Sequence, residues 1–175
     1  MTLPTVAACV RIRNEARYLK EWLEFHRLVG ISVFYIFDDG STDDTRSILE
    51  PYQRSGEVLL WQISDKKCHQ DDQSVCADRK HDALHGERGF RDECLRKNPK
   101  NADWILMTDV DEFAFPTGAA RSLPEHLAGD CEAPAYYLLR WHVFGAGGHI
   151  ERPEASSIES YQLRGREDDC FPRFT

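Results

Sequence analysis

The stretch VAACVRIRNEARYLKEWLEFHRLVGISVFYIF (residues 6–37) decides the fold of this 175-residue chain. Its first seven residues are rich in Val and Ala and predict a buried strand. A helix is predicted to open at Asn14 and Glu15, because apolar side chains then recur at three- and four-residue spacing until Gly30 ends the pattern. Residues 33–37 predict a second strand. Two strands joined by a helix through such short connections indicate a parallel, right-handed α/β unit.

The same alternation continues after this unit. The further predicted elements are a helix capped by Ser41 or Thr42 that carries Ile48, Leu49 and Tyr52 and ends near Gly56, a strand at 58–63, a helix at 90–97, a strand at 104–107, a short helix near 123–127 and a strand at 136–143. The polar stretch 64–89 is expected to be an exposed loop with a ragged helix. The chain is therefore predicted to have an α/β fold.

The composition is that of one globular domain, since 41% hydrophobic and 30% charged positions supply both a core and a polar surface. With a net charge of -8, the chain lacks the excess of positive charge that is typical of proteins that bind nucleic acid or an anionic membrane surface. No stretch approaches the length of a transmembrane helix, and the first four residues do not begin a secretory signal. We therefore expect a cytosolic protein or a chain without its natural targeting segment.

The six cysteines leave the redox state open. Their even number and the clustering of Cys68, Cys76 and Cys94 would suit disulfides in a lumenal domain. Cys9 lies inside an apolar strand and is expected to be a buried thiol. A zinc site is conceivable, but its members lack a tight Cys-x-x-Cys pair and an exposed loop is the favoured interpretation. Those members are Cys68, Cys76, His81 and His85.

Asp109 and Asp111 come directly after the strand predicted at residues 104–107. Two carboxylates two residues apart on extended chain project to the same side, so both point at one small volume beyond the strand. Their mutual repulsion favours a bound cation, and their oxygens suit a hard ion such as Mn²⁺ or Mg²⁺, which recruits phosphates. A solvated turn is the alternative, since Asp-x-Asp is common by chance.

Two more polar clusters follow predicted strands. They are Arg11, Arg13, Asn14 and Glu15 after the first strand, and Asp38 and Asp39 after the second. Ligands of an open α/β sheet bind outside the carboxyl ends of the strands, so three clusters at one edge indicate a site for a phosphate-bearing ligand. The second-strand carboxylates would accept hydrogen bonds from a base or ribose, the arginines would face phosphate or base, and the Asp-x-Asp pair would hold a divalent ion on a diphosphate.

These segments resemble glycosyltransferase family 92, a branch of the family 2-like glycosyltransferases with the GT-A fold. The resemblance rests on RNEARYLKEWLEFH (13–26), YIFDDGSTD (35–43) and the stretch 104–113 ending in DVDEF, and further on WHVFG (141–145) with His149 and on IESY (158–161). It covers about residues 5 to 165. Each piece is loose, but the combination is specific.

The resemblance implies a Rossmann-like mixed sheet flanked by helices in one domain, 1–175, with a nucleotide-sugar-binding half at 5–113 and the start of an acceptor-binding half at 114–175. It also implies a metal-dependent transfer of a sugar from a UDP- or GDP-sugar to a hydroxyl group of a glycan or another acceptor, with inversion at the anomeric carbon. The expected donor-binding residues are Arg11, Arg13, Asn14, Glu15, Asp38, Asp39 and Asp109, the expected ligands of Mn²⁺ or Mg²⁺ are Asp109 and Asp111, and the acceptor-side candidates are Trp141, His142 and His149. Core packing is the alternative for Trp141 and Phe144.

Inversion demands a general base that deprotonates the acceptor hydroxyl. In related enzymes this carboxylate comes from well downstream of the Asp-x-Asp strand, whereas the present chain stops at Thr175. We therefore expect a fold truncated at its carboxyl end, with no base assigned. The remaining acidic residues, for which a solvated tail is the favoured interpretation, are Glu154, Glu159, Glu167, Asp168 and Asp169.

Two other functions stay open at the level of sequence. A sugar-nucleotide-binding domain that lacks the catalytic half would bind a donor without transfer or hydrolysis. A phosphatase of the haloacid-dehalogenase type also uses Asp-x-Asp after a strand, but it expects Thr or Val where this chain has Phe113, and it places the motif after the first strand. The compartment is open as well, because eukaryotic members of the resembled family are often Golgi-anchored and bacterial relatives are cytosolic.

Overall fold

The computed structural model describes residues 2–63, 87–128 and 136–164, with the main chain alone at 87–89. The described elements in chain order are β1 (Val6–Ile12), α1 (Ala16–Leu28), β2 (Val33–Asp38), α2 (Thr45–Arg54), β3 (Val58–Gln62), α3 (Glu87–Lys97), β4 (Trp104–Met107), α4 (Leu123–Ala128) and α5 (Ser157–Ser160). The chain divides into two compact units, Met1–Ala133 and Pro134–Thr175.

The first unit is built on a parallel sheet with the strand order β3-β2-β1-β4. On β1, Ala7 pairs with Val33 of β2 on one side and with Ile105 of β4 on the other. Helices α1 and α2 supply the crossovers that parallel neighbours require. The α/β class predicted from the sequence is confirmed. All pairings among the four described strands are parallel, so the antiparallel strand of a mixed sheet is not among them.

Each face of the sheet carries its own buried cluster, because alternate residues of a strand point to opposite faces. On β1, Val10 belongs to the cluster that also contains Leu23 of α1 and Leu49 of α2. The neighbouring Cys9 belongs to the cluster on the other face, which contains Phe90 of α3. Helices therefore cover both faces, and the carboxyl edge of the sheet is left for the loops.

Helix α1 buries one side only, as its periodicity predicts. The buried side chains are Leu19, Trp22, Leu23 and His26. The helix ends before Gly30, whose φ of 99° is a left-handed conformation that suits glycine. A Cβ at Gly30 would lie 2.7 Å from Cδ of Pro124 in α4, so the close approach of α4 also requires glycine.

The expectation that Cys9 is a buried thiol is wrong, because its sulfur is bonded to Cys94 of α3. Both residues are fully buried. The strand alternation places Cys9 on the face that α3 covers, and the two residues are 85 positions apart in sequence. No local pattern indicates which helix covers that face. The zinc site considered above lies outside the described residues.

The second unit differs from its prediction. The strand expected at 136–143 is not paired; in the described part of this unit the β-bridge is the single antiparallel contact between Phe144 and Arg164. An apolar run forms a strand only where another chain segment offers its main-chain groups, which the sequence of the run itself does not determine. Trp141 is 70% exposed and Phe144 is 47% exposed, so neither forms a buried core.

Candidate functional site

The polar clusters after the first, second and fourth strands lie at the same edge of the sheet, because all four strands run parallel. The strand order reverses at β1, which has β2 on one side and β4 on the other. Such a reversal opens a crevice outside the carboxyl ends of the two strands at which it occurs. The sequence prediction that the three clusters share one edge is therefore confirmed.

Side chains cross-link the loop after β1 to the loop after β2. Asn14 has a φ of 58°, a left-handed conformation that Asn tolerates, and its main-chain N–H donates to Oγ of Ser41 at 2.9 Å. Its side-chain Oδ1 accepts the main-chain N–H of Thr42 at 2.8 Å. Because the amide oxygen holds the neighbouring loop, Asn14 supports the edge of the sheet. Its expected contact with a nucleotide stays a prediction.

Asp43 joins the first turns of two helices. Its Oδ2 accepts the N–H of Ala16 in α1 at 3.0 Å, and its Oδ1 accepts the N–H of Thr45 in α2 at 3.1 Å. The expectation that Ser41 or Thr42 caps α2 is therefore wrong, since the helix begins at Thr45 and both of those residues contact Asn14. A carboxylate also suits the positive end of two helix dipoles.

Asp38, the last residue of β2, is completely buried. Its Oδ1 accepts the main-chain N–H of Ser41 at 2.8 Å, its Oδ2 accepts Nε2 of Gln62 at 3.0 Å, and Nε of Arg46 lies 3.5 Å from Oδ2. Burial alone would raise the pKa of Asp38, but the hydrogen bonds and the charge of Arg46 outweigh it and the pKa lies below its usual value. Asp38 is thus a buried carboxylate that organises its own loop.

Asp39 is the first residue after β2, and its environment differs from that of Asp38. It forms an ion pair with Arg11 through Oδ2. Its side chain is 11% exposed, and its Oδ1 is buried with no hydrogen-bond partner in the described part of the chain. Burying a carboxylate oxygen that accepts no hydrogen bond costs free energy, and a ligand that supplies a hydrogen-bond donor removes that cost. Asp39 therefore offers an acceptor position at the sheet edge, with its negative charge balanced by Arg11.

The other two predicted residues of this corner differ in exposure. Arg13 is exposed. Glu15 is half-buried, and its carbonyl oxygen accepts the N–H groups of Tyr18 and Leu19 at 3.0 Å each, which starts α1. Glu15 thus has a local role in opening the helix, and both residues stay predictions as donor contacts.

Asp109 and Asp111 belong to a tight turn after β4. The N–H of Glu112 donates to the carbonyl oxygen of Asp109 at 3.1 Å, and Oε2 of Glu112 accepts both the Asp109 N–H and the Thr108 hydroxyl at 3.1 Å. Val110 is buried in the core, whereas Asp109 and Asp111 are exposed. The turn therefore directs its aspartates outward and its valine inward.

Two ring side chains of helix α1 form hydrogen bonds with the main chain of the segment that follows this turn. Nε1 of Trp22 donates to the carbonyl oxygen of Glu112 at 3.1 Å, and the N–H of Ala114 donates to Nε2 of His26 at 3.2 Å. Phe113 stacks on the ring of His26 at 6.1 Å between centroids. Residues on one face of α1 thus contact the main chain on both sides of Phe113.

These contacts determine the tautomer of His26. Nδ1 lies 2.9 Å from the carbonyl oxygen of Trp22, which can only accept, so Nδ1 carries the proton and Nε2 is left as an acceptor for Ala114. Burial lowers the pKa of His26 to about 4. The imidazole is therefore neutral at neutral pH, as its two partners require.

The carboxylates of Asp109 and Asp111 fit a hard divalent cation. They belong to exposed residues at the carboxyl edge of the sheet, and Mg²⁺ is commonly held by one or two carboxylates together with substrate phosphates and water. No group of three or more His, Cys, Asp and Glu side chains is placed to hold a metal within residues 2–63, 87–128 and 136–164. The donor set therefore suits an ion shared with a phosphate ligand.

The three acceptor-side candidates lie in the second unit. Trp141 and His149 are exposed, and the ring of His149 meets that of Tyr161 edge-on at 6.1 Å. Nδ1 of His142 accepts a hydrogen bond from Nη1 of Arg164 at 2.8 Å. The expected roles of these residues at an acceptor site stay predictions.

Sequence reasoning missed the residues that support the acidic segments. Glu112 was part of the quoted DVDEF motif, and its position three residues after Asp109 is the spacing of a turn closed by a side chain. The apolar spacing of the helix predicted after Asn14 includes Trp22 and His26, and it predicts their burial without indicating partners for their ring nitrogens. Their polar ring atoms, one helical turn apart on a buried face, indicated that buried partners had to exist.

The family model for glycosyltransferase family 92 matches residues 5–163, and the chain belongs to this family. A family 92 protein of Oryza sativa subsp. japonica is 24% identical over 165 residues, which cover 91% of this chain and 25% of the relative. One of Ricinus communis is 29% identical over 163 residues, 89% of this chain and 26% of the relative. The chain thus spans about a quarter of the length of these curated relatives.

A galactan beta-1,4-galactosyltransferase of Arabidopsis thaliana is 24% identical over 103 residues, which cover 57% of this chain and 18% of the relative. Among solved structures, S. aureus TarS 1-349 in complex with UDP-GlcNAc is 18% identical with a TM-score of 0.44, over 63% of this chain and 28% of that chain. No helix within the described ranges is long and apolar enough to cross a membrane.

Proposed function

We propose that this chain forms the donor-binding part of a glycosyltransferase that moves a sugar from a nucleotide diphosphate to a hydroxyl group of a glycan or another acceptor. The proposal includes dependence on Mn²⁺ or Mg²⁺ and inversion at the anomeric carbon. The observation that carries it is the placement of an exposed Asp109/Asp111 pair at the same sheet edge as the unsatisfied oxygen of Asp39. Membership of glycosyltransferase family 92 supports the class of reaction and leaves the Asp-x-Asp phosphatase without support.

In this proposal Asp39 recognises the nucleoside. Its buried Oδ1 accepts a hydrogen bond from the imide of a uracil or guanine base or from a ribose hydroxyl, while Arg11 neutralises the other oxygen. Satisfying a buried acceptor favours the ligand that brings the donor and disfavours one that lacks it. Arg13, which is exposed next to this corner, faces the phosphates.

In this proposal the carboxylates of Asp109 and Asp111 would hold the divalent ion at the diphosphate end of the donor. When bound, the ion supplies positive charge that stabilises the nucleoside diphosphate as a leaving group. The chain's own contribution is to orient two carboxylates on a turn closed by Glu112 and anchored by the buried Val110. The oxygen of the acceptor hydroxyl would attack the anomeric carbon on the face opposite the diphosphate while the bond from that carbon to the diphosphate oxygen breaks, so the configuration inverts and the nucleoside diphosphate leaves. A general base would take the hydroxyl proton.

Calorimetric titration of UDP into the chain tests the proposal. We expect UDP to bind in the presence of Mn²⁺ and to lose most of its affinity when EDTA removes the ion. Equal affinity under the two conditions would rule out the metal role. A parallel assay with UDP-sugars and simple glycan acceptors measures transfer and donor hydrolysis, and binding without either activity would identify a donor-binding domain that is catalytically incomplete.

Asp111→Ala gives the residue-level test. Removing one of two ligands should weaken Mn²⁺-dependent UDP binding by more than the ~10–100-fold loss that is typical of substitutions behind a metal site. The matched control is Asp92→Ala, which removes an exposed carboxylate from α3 and should leave binding unchanged. If Asp111→Ala binds UDP with the Mn²⁺ dependence of the unsubstituted chain, Asp111 is not a ligand.

A further inference from the structure

Two ring side chains of α1 contact the segment that follows Asp111 across a long stretch of sequence. Trp22 and Glu112 are separated by 90 residues, and His26 and Ala114 by 88. Both rings are fully buried, and their centroids lie 4.6 Å apart. The two rings contact this segment at the main chain of Glu112 and Ala114 and, for His26, at the ring of Phe113.

The polarity of the two rings matches the two main-chain groups. Trp22 can only donate, and it faces a carbonyl oxygen; neutral His26 has one acceptor nitrogen, and it faces an N–H. A carbonyl at residue 112 and an N–H at residue 114 flank Phe113, and these are the groups that a neighbouring strand would otherwise pair. The rings of α1 thus take the place of a strand partner at the point where β4 has ended.

The turn is constrained from its other sides as well. Val110 is buried, Phe113 packs edge-on against Phe25 at 5.1 Å, and the carboxylate of Glu112 bonds the Asp109 N–H. Asp111 therefore lies between main-chain positions that are held on both sides. A metal site gains affinity when its ligands are held in the binding geometry before the ion arrives.

The geometry points to Trp22 and His26 as positioning residues for the Asp109/Asp111 pair. Through the carbonyl of Glu112 and the N–H of Ala114 they set the path of the turn, and thereby the separation and direction of the two carboxylates. This assignment rests on the proposed function, because it concerns the cation site of that proposal. It predicts a change in the metal requirement that is separate from any change in nucleotide recognition at Asp39.

The experiment compares four variants of the full chain. Trp22→Phe keeps an aromatic ring and removes the donor; His26→Leu keeps apolar bulk and removes the acceptor; His26→Gln returns an acceptor oxygen near the position of Nε2. The matched control is Tyr52→Phe, which removes a hydrogen bond of 2.6 Å to Glu24 on another side of α1. The readouts are the Mn²⁺ concentration that half-saturates UDP binding, the UDP affinity in EDTA, and the melting temperature.

We expect Trp22→Phe and His26→Leu to raise the half-saturating Mn²⁺ concentration by about 10-fold or more, as substitutions behind a metal site do. UDP affinity in EDTA should be unchanged, and His26→Gln and Tyr52→Phe should match the unsubstituted chain. Trp22→Phe decides the test by itself if His26→Leu does not melt cooperatively.

An unchanged Mn²⁺ requirement in Trp22→Phe, in a chain whose UDP binding depends on Mn²⁺, overturns the positioning role and leaves the proposed function standing. An equal loss of UDP affinity with Mn²⁺ and in EDTA also overturns it, because that result indicates a general structural defect. If the unsubstituted chain binds UDP without any Mn²⁺ dependence, the proposed metal site fails first and the positioning role fails with it.

Discussion

The two acidic segments at the carboxyl edge of the sheet are built in opposite ways. After β2, the carboxylate of Asp38 is buried and that of Asp43 receives N–H groups from two helices. After β4, Asp109 and Asp111 are exposed, and their turn is held by groups behind it. The first segment uses carboxylates to hold its own main chain, whereas the carboxylates of the second belong to exposed residues.

Because of this difference, we expect the carboxylates of the first segment to contribute to folding stability and those of the second to ligand binding. A buried carboxylate that accepts several hydrogen bonds is part of the folded structure, and its removal leaves unsatisfied donors. An exposed carboxylate on an anchored turn contributes little to folding and is available to a ligand. Asp39 lies between these cases, because one oxygen is paired with Arg11 and the other is buried without a donor in the described part of the chain.

The largest effect is expected for the disulfide, which tests whether both segments depend on one folded unit. Cys9 is on β1, between the strands that carry the two segments, and the bridge closes a loop of 85 residues. Its removal in a Cys9→Ala/Cys94→Ala variant should lower the free energy of unfolding by about 4.6 kcal/mol in the chain-entropy account. Urea denaturation measures this. Coincident denaturation curves for the two proteins would contradict the prediction.

The second largest effect is expected for the loss of folding stability in acid, which depends on His26 behind the turn after β4. Burial lowers the pKa of His26 from 6.5 to about 4, so the unfolded chain binds more protons than the folded chain between these values. Stability therefore falls as pH falls through this window, by on the order of 3 kcal/mol when it is complete. Denaturation curves at pH 7 and pH 4.5 measure the loss, and His26→Gln should reduce it. An equal loss in that variant would assign the acid sensitivity to other groups.

The smallest of these effects is expected when one carboxylate of each segment is substituted and the two variants are compared directly. Asp38→Asn should lower the free energy of unfolding by about 2 kcal/mol, because hydrogen bonds to a buried charge are lost. Asp111→Asn should change it by less than about 0.5 kcal/mol, as exposed substitutions usually do. Chemical denaturation at pH 7 measures both, and similar values for the two variants would remove the distinction between the segments.

The pH dependence of Asp38 provides the control for that comparison. Its pKa in the folded chain lies below the ordinary value of 3.8, so its contribution to stability is present above 3.8 and is lost as pH falls toward the lowered pKa. The difference between the unsubstituted chain and Asp38→Asn should therefore shrink only below pH 3.8. A difference that already shrinks between pH 6.5 and 4 would contradict the lowered pKa of Asp38, because His26 is present in both proteins and its contribution cancels in the difference.

Much of the first unit was predictable from local pattern. The apolar spacing along α1 and the short apolar runs of β1 to β4 give each element its type and approximate bounds, because helical and extended chain expose side chains at different periods. The convergence of Asp38, Asp39, Asp109 and Asp111 at one edge followed from parallel topology alone. The strand expected at 136–143 was wrong for the complementary reason: pairing needs a partner segment.

The sequence by itself thus determined the α/β class, the family and the positions of the acidic clusters, since these depend on periodicity and on residues close in the chain. Only the tertiary structure decided that Cys9 meets Cys94, that Asp38 is buried while Asp111 is exposed, and that α1 holds the turn after β4. The first and the third of these outcomes depend on contacts between residues 85 to 90 positions apart. The carboxylate of Asp38 instead contacts Ser41, Arg46 and Gln62, which the folding of β2, α2 and β3 brings to it. Such contacts arise from the packing of whole elements, which local sequence pattern does not encode.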